Sequence, residues 1–430
     1  MSAFWKHYGA TLLLLTGVIL GALCGILWPA AAHAVKPVGQ LFLNLIFVMI
    51  VPLVFFSTAA SICKLRGSGM LGRTVLTVLA VFLGMSLVAA LLGLLGTSCV
   101  PLVLPSEWDP VPGTFAEGAG LGTVSVADSI VGALTASDFS LLLSKEHMLA
   151  LVLFSALFGY AVGAAGTAGA AMERFVLSGT EVMMKMVSLV MVLAPLGLGC
   201  YFADTVASVG AQLLGGYLRV LVLYLALTVV VFFVINSLYV FCAGGSSAEA
   251  GSGADGSGRG FRGRMEALRR YWAQIWAPAA TAVGTASSAA SMPSAMEAAR
   301  RMGVAPEIAE SVIPLGTNIH KDGSVLGAVF KIVFLLALCG RVGGGFETLA
   351  AIVGVALLEA VVLSAVPSGG LTGEVFICSV MGFPPEMVGI IVVIGTLIDV
   401  PATLLNVNGN IVASLLTDRL TGRRKSERIH

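Results

Sequence analysis

Charge is what this sequence has least of. Only 11% of its 430 residues are Asp, Glu, Lys or Arg, against 57% that are hydrophobic. A soluble chain of this length needs far more polar surface, so hydrocarbon is the solvent for most of it. The few basic residues flank apolar runs instead of forming a stripe, which excludes a nucleic-acid partner. Cysteine chemistry is also missing: the seven thiols at 24, 63, 99, 200, 242, 339 and 378 are scattered, odd in number and without metal-ligand spacing. They read as buried free thiols. With no nucleophile–base pair, metal cluster or phosphate-binding loop in view, neither an enzyme nor a cofactor is expected. Lys6, an apolar run and Ala32-His33-Ala34 imitate a cleavable leader, but the run from Gly9 to Trp28 is long enough to cross a bilayer. It is expected to be a retained first helix.

Long apolar segments are present at 9–28, 38–62, 74–97, 148–166, 176–200 and 211–242, each near the roughly 20 residues that span a bilayer. Lys64, Arg66 and Arg73 lie between the second and third, and Arg259, Arg262, Arg264, Arg269 and Arg270 follow the sixth. Residues 98–147 are acidic instead. By the positive-inside rule both termini and the 243–270 loop face the cytoplasm across the inner membrane, with 98–147 outside. Residues 243–263 form a Gly/Ser-rich linker. It divides six helices (1–242) from a broken core (264–420), and a basic tail (421–430) follows. In the core, two small-residue tracts, Ala286–Pro293 and Ala365–Gly370, interrupt apolar stretches too short to cross and return. Such tracts are expected at the tips of re-entrant hairpins lining a cavity; small-residue helix packing is the alternative.

Two apolar runs contain polar residues at membrane depth. Ile313–Leu336 carries Asn318-Ile319-His320-Lys321-Asp322-Gly323-Ser324, and Val388–Leu416 carries Asp399, Thr403, Asn406, Asn408 and Asn410. Ionised groups there pair, face water or act on a substrate. Asp399 and Asn406 are two helical turns apart and share a face, which Asn410 continues. A carboxylate stacked with amides suits a zwitterion, the acid taking an ammonium and the amides a carboxylate. A purely structural network is the other reading.

These motifs resemble the dicarboxylate/amino acid:cation symporter family. Thr285–Pro293 is similar to the serine-rich tip of its first hairpin, and Val366-Pro367-Ser368-Gly369-Gly370 to the second tip. Pro314-Leu315-Gly316 with Asp322-Gly323-Ser324 resembles the seventh-helix motif, and Asn406-Val407-Asn408-Gly409-Asn410 the eighth-helix motif. Phe158-Gly159 and Ala194-Pro195-Leu196-Gly197 are weaker marks. The resemblance implies an all-α fold of eight transmembrane helices and two re-entrant hairpins, assembled as a homotrimer. In it a scaffold of helices one, two, four and five holds a sliding domain made of the rest. It implies that Asp399 binds a substrate amino group and Asn406 its carboxylate. Ser287, Ser288, Ser324, Ala402, Thr403, Pro367, Ser368 and Gly369 would complete the substrate site. Gly316, His320, Lys321, Asp322, Asn406 and Asn410 would occupy the family's cation site.

The sequence departs from the family pattern at that cation site and beside Asn406. Ala402 stands where acidic-substrate members carry an arginine, with Lys331 the only evident substitute. His320-Lys321 replaces Asn-Met, Asn410 replaces an aspartate, and Phe82 and Met85 fall where tyrosine and threonine are expected. Two explanations stay open. In one, Lys321 replaces the sodium and neutralises Asp322; in the other, His320, Lys321 and Glu359 form a proton path. Snorkelling of Lys321 and Glu359 to the interface is the plain alternative. The expectation is a secondary carrier of a small neutral amino acid, with sodium or protons as coupling ions. A glutamate or C4-dicarboxylate symporter is the nearest alternative; a channel or sensor is the alternative of another class.

Overall fold

The computed structural model describes residues 2–67, 72–104, 135–143, 147–209, 212–244, 256–340, 345–362, 370–384 and 387–421. They are helical almost throughout, with no strand among the described residues. An apolar environment demands this, because a helix satisfies its own backbone N–H and C=O groups without water.

The first half supplies α1 (Ser2–Leu27), α2 (Pro29–Gly67), α3 (Gly72–Cys99), the short α4 (Phe139–Leu142), α5 (Met148–Ala164), α6 (Ala170–Met191) and α7 (Ala194–Val209). α8 (Gln212–Val229) runs through a wider π turn at Val230–Ile235 into α9 (Asn236–Ala243). The second half is shorter-stepped: α10 (Gly256–Gln274), α11 (Trp276–Thr285), α12 (Ser288–Arg301), α13 (Pro306–Ile319), α14 (Asp322–Leu338), α15 (Phe346–Val362), α16 (Gly370–Met381) and α17 (Val388–Thr421).

Among the described residues, helical stretches at Thr74–Cys99, Leu214–Ala243 and Val388–Thr421 are long and apolar enough to cross a membrane, and a bent pair makes a fourth where its two arms count as one span. The segment expected to span at 176–200 is bent: Gly166–Val190 and Ala194–Ala207 meet at 61°. Pro195, at the second position of α7, has no N–H to continue the ladder from α6. A correction concerns the linker expected over 243–263. Its last residues form the start of α10, where Phe261 packs edge-on against Phe241 and Arg264 lies over the same ring. Docking of an aromatic side chain outweighs the poor helix propensity of the glycines.

The helices pack in two groups. In one, α2 runs along α5, α6 and α7, and α1 lies on α7. Gly17, Gly21 and Gly25 of α1 meet the backbone at Pro195, Gly199 and Ala203, so the axes approach as close as glycine allows. In the other group, α14 and α17 form the centre. α3, α8, α9, α11, α12, α13, α15 and α16 pack around that pair.

Candidate functional site

The centre of the second group is a broken helix. α13 stops at Ile319 and α14 starts at Asp322, with His320 and Lys321 extended between them. The break frees the first N–H groups of α14, and Asn406 of α17 accepts them: its Oδ1 receives the N–H of Gly323 at 2.9 Å and of Ser324 at 3.3 Å. Asn406 Nδ2 donates to Ser324 Oγ at 3.2 Å. The side chain expected to hold a substrate carboxylate therefore caps a helix in this conformation. Tyr224 donates to the Gly323 carbonyl at 2.7 Å. Gly323 itself abuts the backbone of Ala402, leaving no room for a Cβ.

His320 fills the space between the presumed cation ligands. Its Nδ1 is 2.9 Å from Asn410 Oδ1, its Nε2 is 2.9 Å from Asp322 Oδ1, and Phe82 stacks on the ring at 4.4 Å. Ser86 donates to the same Asp322 oxygen at 3.1 Å, and Gly316 lies against Asn410. This corrects the expectation that Lys321 neutralises Asp322. The charged groups facing Lys321 are Glu359 and Asp399. The reason is directional: in the extended break, successive side chains point to opposite sides.

Snorkelling of Lys321 and Glu359 is likewise corrected: they are 8% and 0% exposed. Glu359 lies with Lys331 and Glu374, not in a chain with His320. Lys331 Nζ stands 3.4 Å from Glu359 Oε1 and 2.6 Å from Glu374 Oε1, all three side chains being buried. Lys331 is thereby occupied, and the idea that it replaces the missing arginine is withdrawn. Ser86 and Glu374 were missed from the sequence. Ser86 neighbours the expected position Met85, whereas Glu374 carried the same signal as Glu359, a lone carboxylate in an apolar helix.

The turn between α11 and α12 is made at Ala286, whose φ of 47° is left-handed, a conformation that costs an L-residue roughly 1–2 kcal/mol. Ser287 caps α12 by accepting the Ala290 N–H at 3.2 Å, and Ser288 begins that helix, both half-buried. α11 and α12 both pack on α17. Pro367, Ser368 and Gly369 lie outside the described residues. On α17, Ala402 and Thr403 are buried while Asp399 is exposed, within the fields of Lys321 and Lys331. Asn408 of the same helix donates to Tyr271 at 2.7 Å.

Comparison with known proteins supplies the wider frame. The family model for the sodium:dicarboxylate symporter family matches residues 10–250 and 261–420. A C4-dicarboxylate transport protein of Rhizobium leguminosarum is 26% identical over 435 residues, covering 97% of this chain and 89% of the relative. C4-dicarboxylate transport protein 2 of Mesorhizobium japonicum is 28% identical over 444 residues, covering 95% of this chain and 88% of its own. A C4-dicarboxylate transport protein of Acidovorax sp. (strain JS42) is 26% identical over 427 residues, 96% and 88% being covered.

Proposed function

The chain belongs to the sodium:dicarboxylate symporter family, and from that premise we propose that it carries a small carboxylate-bearing solute across the inner membrane by an elevator movement. In this reading α11–α12 and α15–α16 are the arms of two re-entrant hairpins, α13–α14 a broken seventh span and α17 the eighth. The two packing groups support a scaffold of α1, α2 and α5–α7 beside a moving domain built on α14 and α17. The proposed divisions are 1–242, the linker, the core to 420 and the tail, with both termini cytoplasmic and three copies assembled.

The observation that carries the substrate chemistry is Asp399, an exposed carboxylate on an otherwise buried polar stripe of α17. An exposed carboxylate at membrane depth takes a cationic group, so an amino acid is the first reading. With Ala402 in place of the arginine and Lys331 held by two glutamates, neither of those cations pairs a second substrate carboxylate, whose desolvation is costly. A neutral amino acid fits best on these grounds. The second reading is a C4-dicarboxylate; the names of the three relatives favour it, as does the charge of Lys321 acting on Asp399. A channel or sensor is distinguished from both by saturable counterflow in liposomes.

A sodium ion does not fit between Asp322 and Asn410 as they stand, because an imidazole already contacts both oxygens. The test of the substrate is a thermal-shift screen over common amino acids and C4-dicarboxylates, since a ligand stabilises the state it binds. Asp399→Asn should abolish binding and uptake of an amino acid while the protein stays folded. Normal amino-acid uptake by that variant, or tight binding of succinate-like diacids alone, removes the first reading in favour of the second.

A further inference from the structure

The helix α10 is left over from this account. It carries five arginines against one glutamate, and no lysine. Its inner face is fixed: Tyr271 is buried and bonded to Asn408 of α17, and Arg264 lies over the Phe241 ring of α9. Its outer face is two rows of side chains at helical spacing, all exposed. One row is Phe261, Met265 and Arg269; the next is Arg262, Glu266 and Arg270. Among the described residues Arg262 and Arg269 meet no acid, and Arg270 has an exposed contact with Glu266 at 3.1 Å, which holds it weakly. Phe261 and Met265, 61% and 46% exposed, share this face with the cations. Basic and large apolar groups mixed on one exposed helix face suit the boundary between lipid and water.

Two observations place α10 at that boundary. The span Leu214–Ala243 is 30 residues long, about 45 Å at the helical rise, against a hydrocarbon core of about 30 Å. Counted from Leu214, about 20 residues cross, and the excess begins near Phe233. Aromatic side chains collect at that level. Trp272 of α10 stacks on Phe233 with centroids 5.2 Å apart, and Trp276, 54% exposed, follows in α11. Tryptophan concentrates where hydrocarbon meets headgroups. From Trp272, α10 runs back beside the excess length of the span to Phe261, which meets Phe241. Its arginines therefore lie at and beyond the hydrocarbon edge, Arg269 and Arg270 within one turn of Trp272.

We propose that the outer face of α10 binds the phosphate groups of anionic phospholipids through Arg262, Arg269 and Arg270, with Phe261 and Met265 resting in the adjoining acyl chains. The partner is the leaflet at this end of the span, whose negative surface matches the excess of arginine. A guanidinium fork grips phosphate oxygens in pairs, which an ammonium cannot do. The span is long enough to tilt, and tilting lays α10 along the headgroups. Because α10 leads through Ile275 directly into α11, the arm that ends at the Ala286 turn, lipid held there steadies the base of the candidate site. The binding of lipid does not depend on which solute is carried.

The probe is phosphatidylglycerol added to the full-length protein in detergent, with phosphatidylcholine and inorganic phosphate as comparisons. Melting temperature should rise with phosphatidylglycerol and stay level with the other two. Brominated phosphatidylglycerol should quench tryptophan fluorescence, and Trp272→Phe with Trp276→Phe should remove most of that quenching. Arg262→Gln, Arg269→Gln and Arg270→Gln together should shift the lipid titration to roughly a hundredfold more phosphatidylglycerol. Melting without lipid should be unchanged in that variant, because the three side chains are exposed. The arginine variant keeps both tryptophans, so it decides even where the tryptophan variant fails to fold. Arg423→Gln, Arg424→Gln and Lys425→Gln in the tail should not shift the titration. Equal stabilisation by phosphatidylcholine, an unshifted titration in the α10 variant, or an equal shift in the tail variant overturns the proposal. Stabilisation by inorganic phosphate as strong as by the lipid overturns it too, making this face a site for a soluble anion.

Discussion

Among the described residues, forty large apolar side chains between 13 and 238 are exposed, against seven between 261 and 420. Buried ionisable groups run the other way. Asp204, paired with His33 at 2.7 Å and Lys36 at 3.2 Å, is the one buried Asp, Glu, His, Lys or Arg in the first half among the described residues. His320, Lys321, Asp322, Lys331, Glu359, Glu374 and Asp418 all lie in the second. The difference separates two ways of living in a bilayer. The first half turns apolar surface outward and is held by close helix contact, as where α1 meets α7. The second half withdraws from lipid and keeps charge inside, which is tolerable only where each group has a partner.

The largest expected effect that sharpens this contrast is at glycine. Gly323→Ala places a methyl group against the backbone of Ala402, with no flexible side chain to yield. Overpacking of this kind costs roughly 1–3 kcal/mol, and more where backbone must move. We expect loss of substrate binding and a lower melting temperature. Gly84→Ala, on α3 with nothing within 4 Å of the new Cβ, should be neutral or slightly stabilising. Equal damage at both sites, read by thermal melting, would show that the close approach to Ala402 is not what makes Gly323 necessary.

The next effect probes the lipid-facing side. Val229 is 55% exposed on the span Leu214–Ala243. A lysine at the centre of a membrane helix carries roughly +2.5 to +3.5 kcal/mol on insertion scales, so Val229→Lys should reduce inserted protein sharply. Val229→Leu should not. Normal yield of the lysine variant would mean that this face borders water or a polar partner.

A smaller effect concerns coupling. Because His320 already bridges Asp322 and Asn410, substrate affinity should be flat when sodium is exchanged for choline at constant ionic strength. Lys321→Met should not create sodium dependence, and it should leave Asp322 paired with His320 and Ser86. A steep rise in affinity with sodium would show that the oxygens are freed in another conformation.

Much of this site was legible in the residues themselves. A polar run inside an apolar segment marks groups that pair, face water or serve a substrate, and Asn318–Ser324 did so; the helix break there did not follow, since the equally polar run of Val388–Leu416 stays helical. The stripe Asp399, Asn406, Asn410 followed from helical periodicity. What sequence could not supply was pairing. Lys321 adjoins Asp322 in the chain yet faces Glu359 and Asp399, because extended backbone sends neighbours to opposite sides. Lys331 and Glu374 are 43 residues apart in the sequence, and no local rule brings them together. Likewise the bend at Pro195 and the helix at Gly256 depend on what those segments pack against.

The smallest effect tests what makes an ion pair matter. Arg301 Nε lies 2.8 Å from Glu297 Oε1, and Lys331 Nζ lies 2.6 Å from Glu374 Oε1, so distance barely distinguishes them. Environment does. The first pair sits on one face of α12 with its side chains 62% and 52% exposed, the second with 5% and 0%. In water-like dielectric the attraction is offset by side-chain entropy and screened by salt, and exposed helix pairs contribute about 0.3–0.5 kcal/mol. Arg301→Ala should therefore leave melting temperature and binding almost unchanged. The small shift it does cause should fade as salt is raised. The Lys331 cluster should respond to salt hardly at all, since buried pairs are screened far less than exposed ones. If Arg301→Ala instead destabilises as much as a substitution at Lys331, distance and not burial governs these pairs. The division of the molecule into a lipid-facing half and a charge-holding half would then lose its energetic meaning.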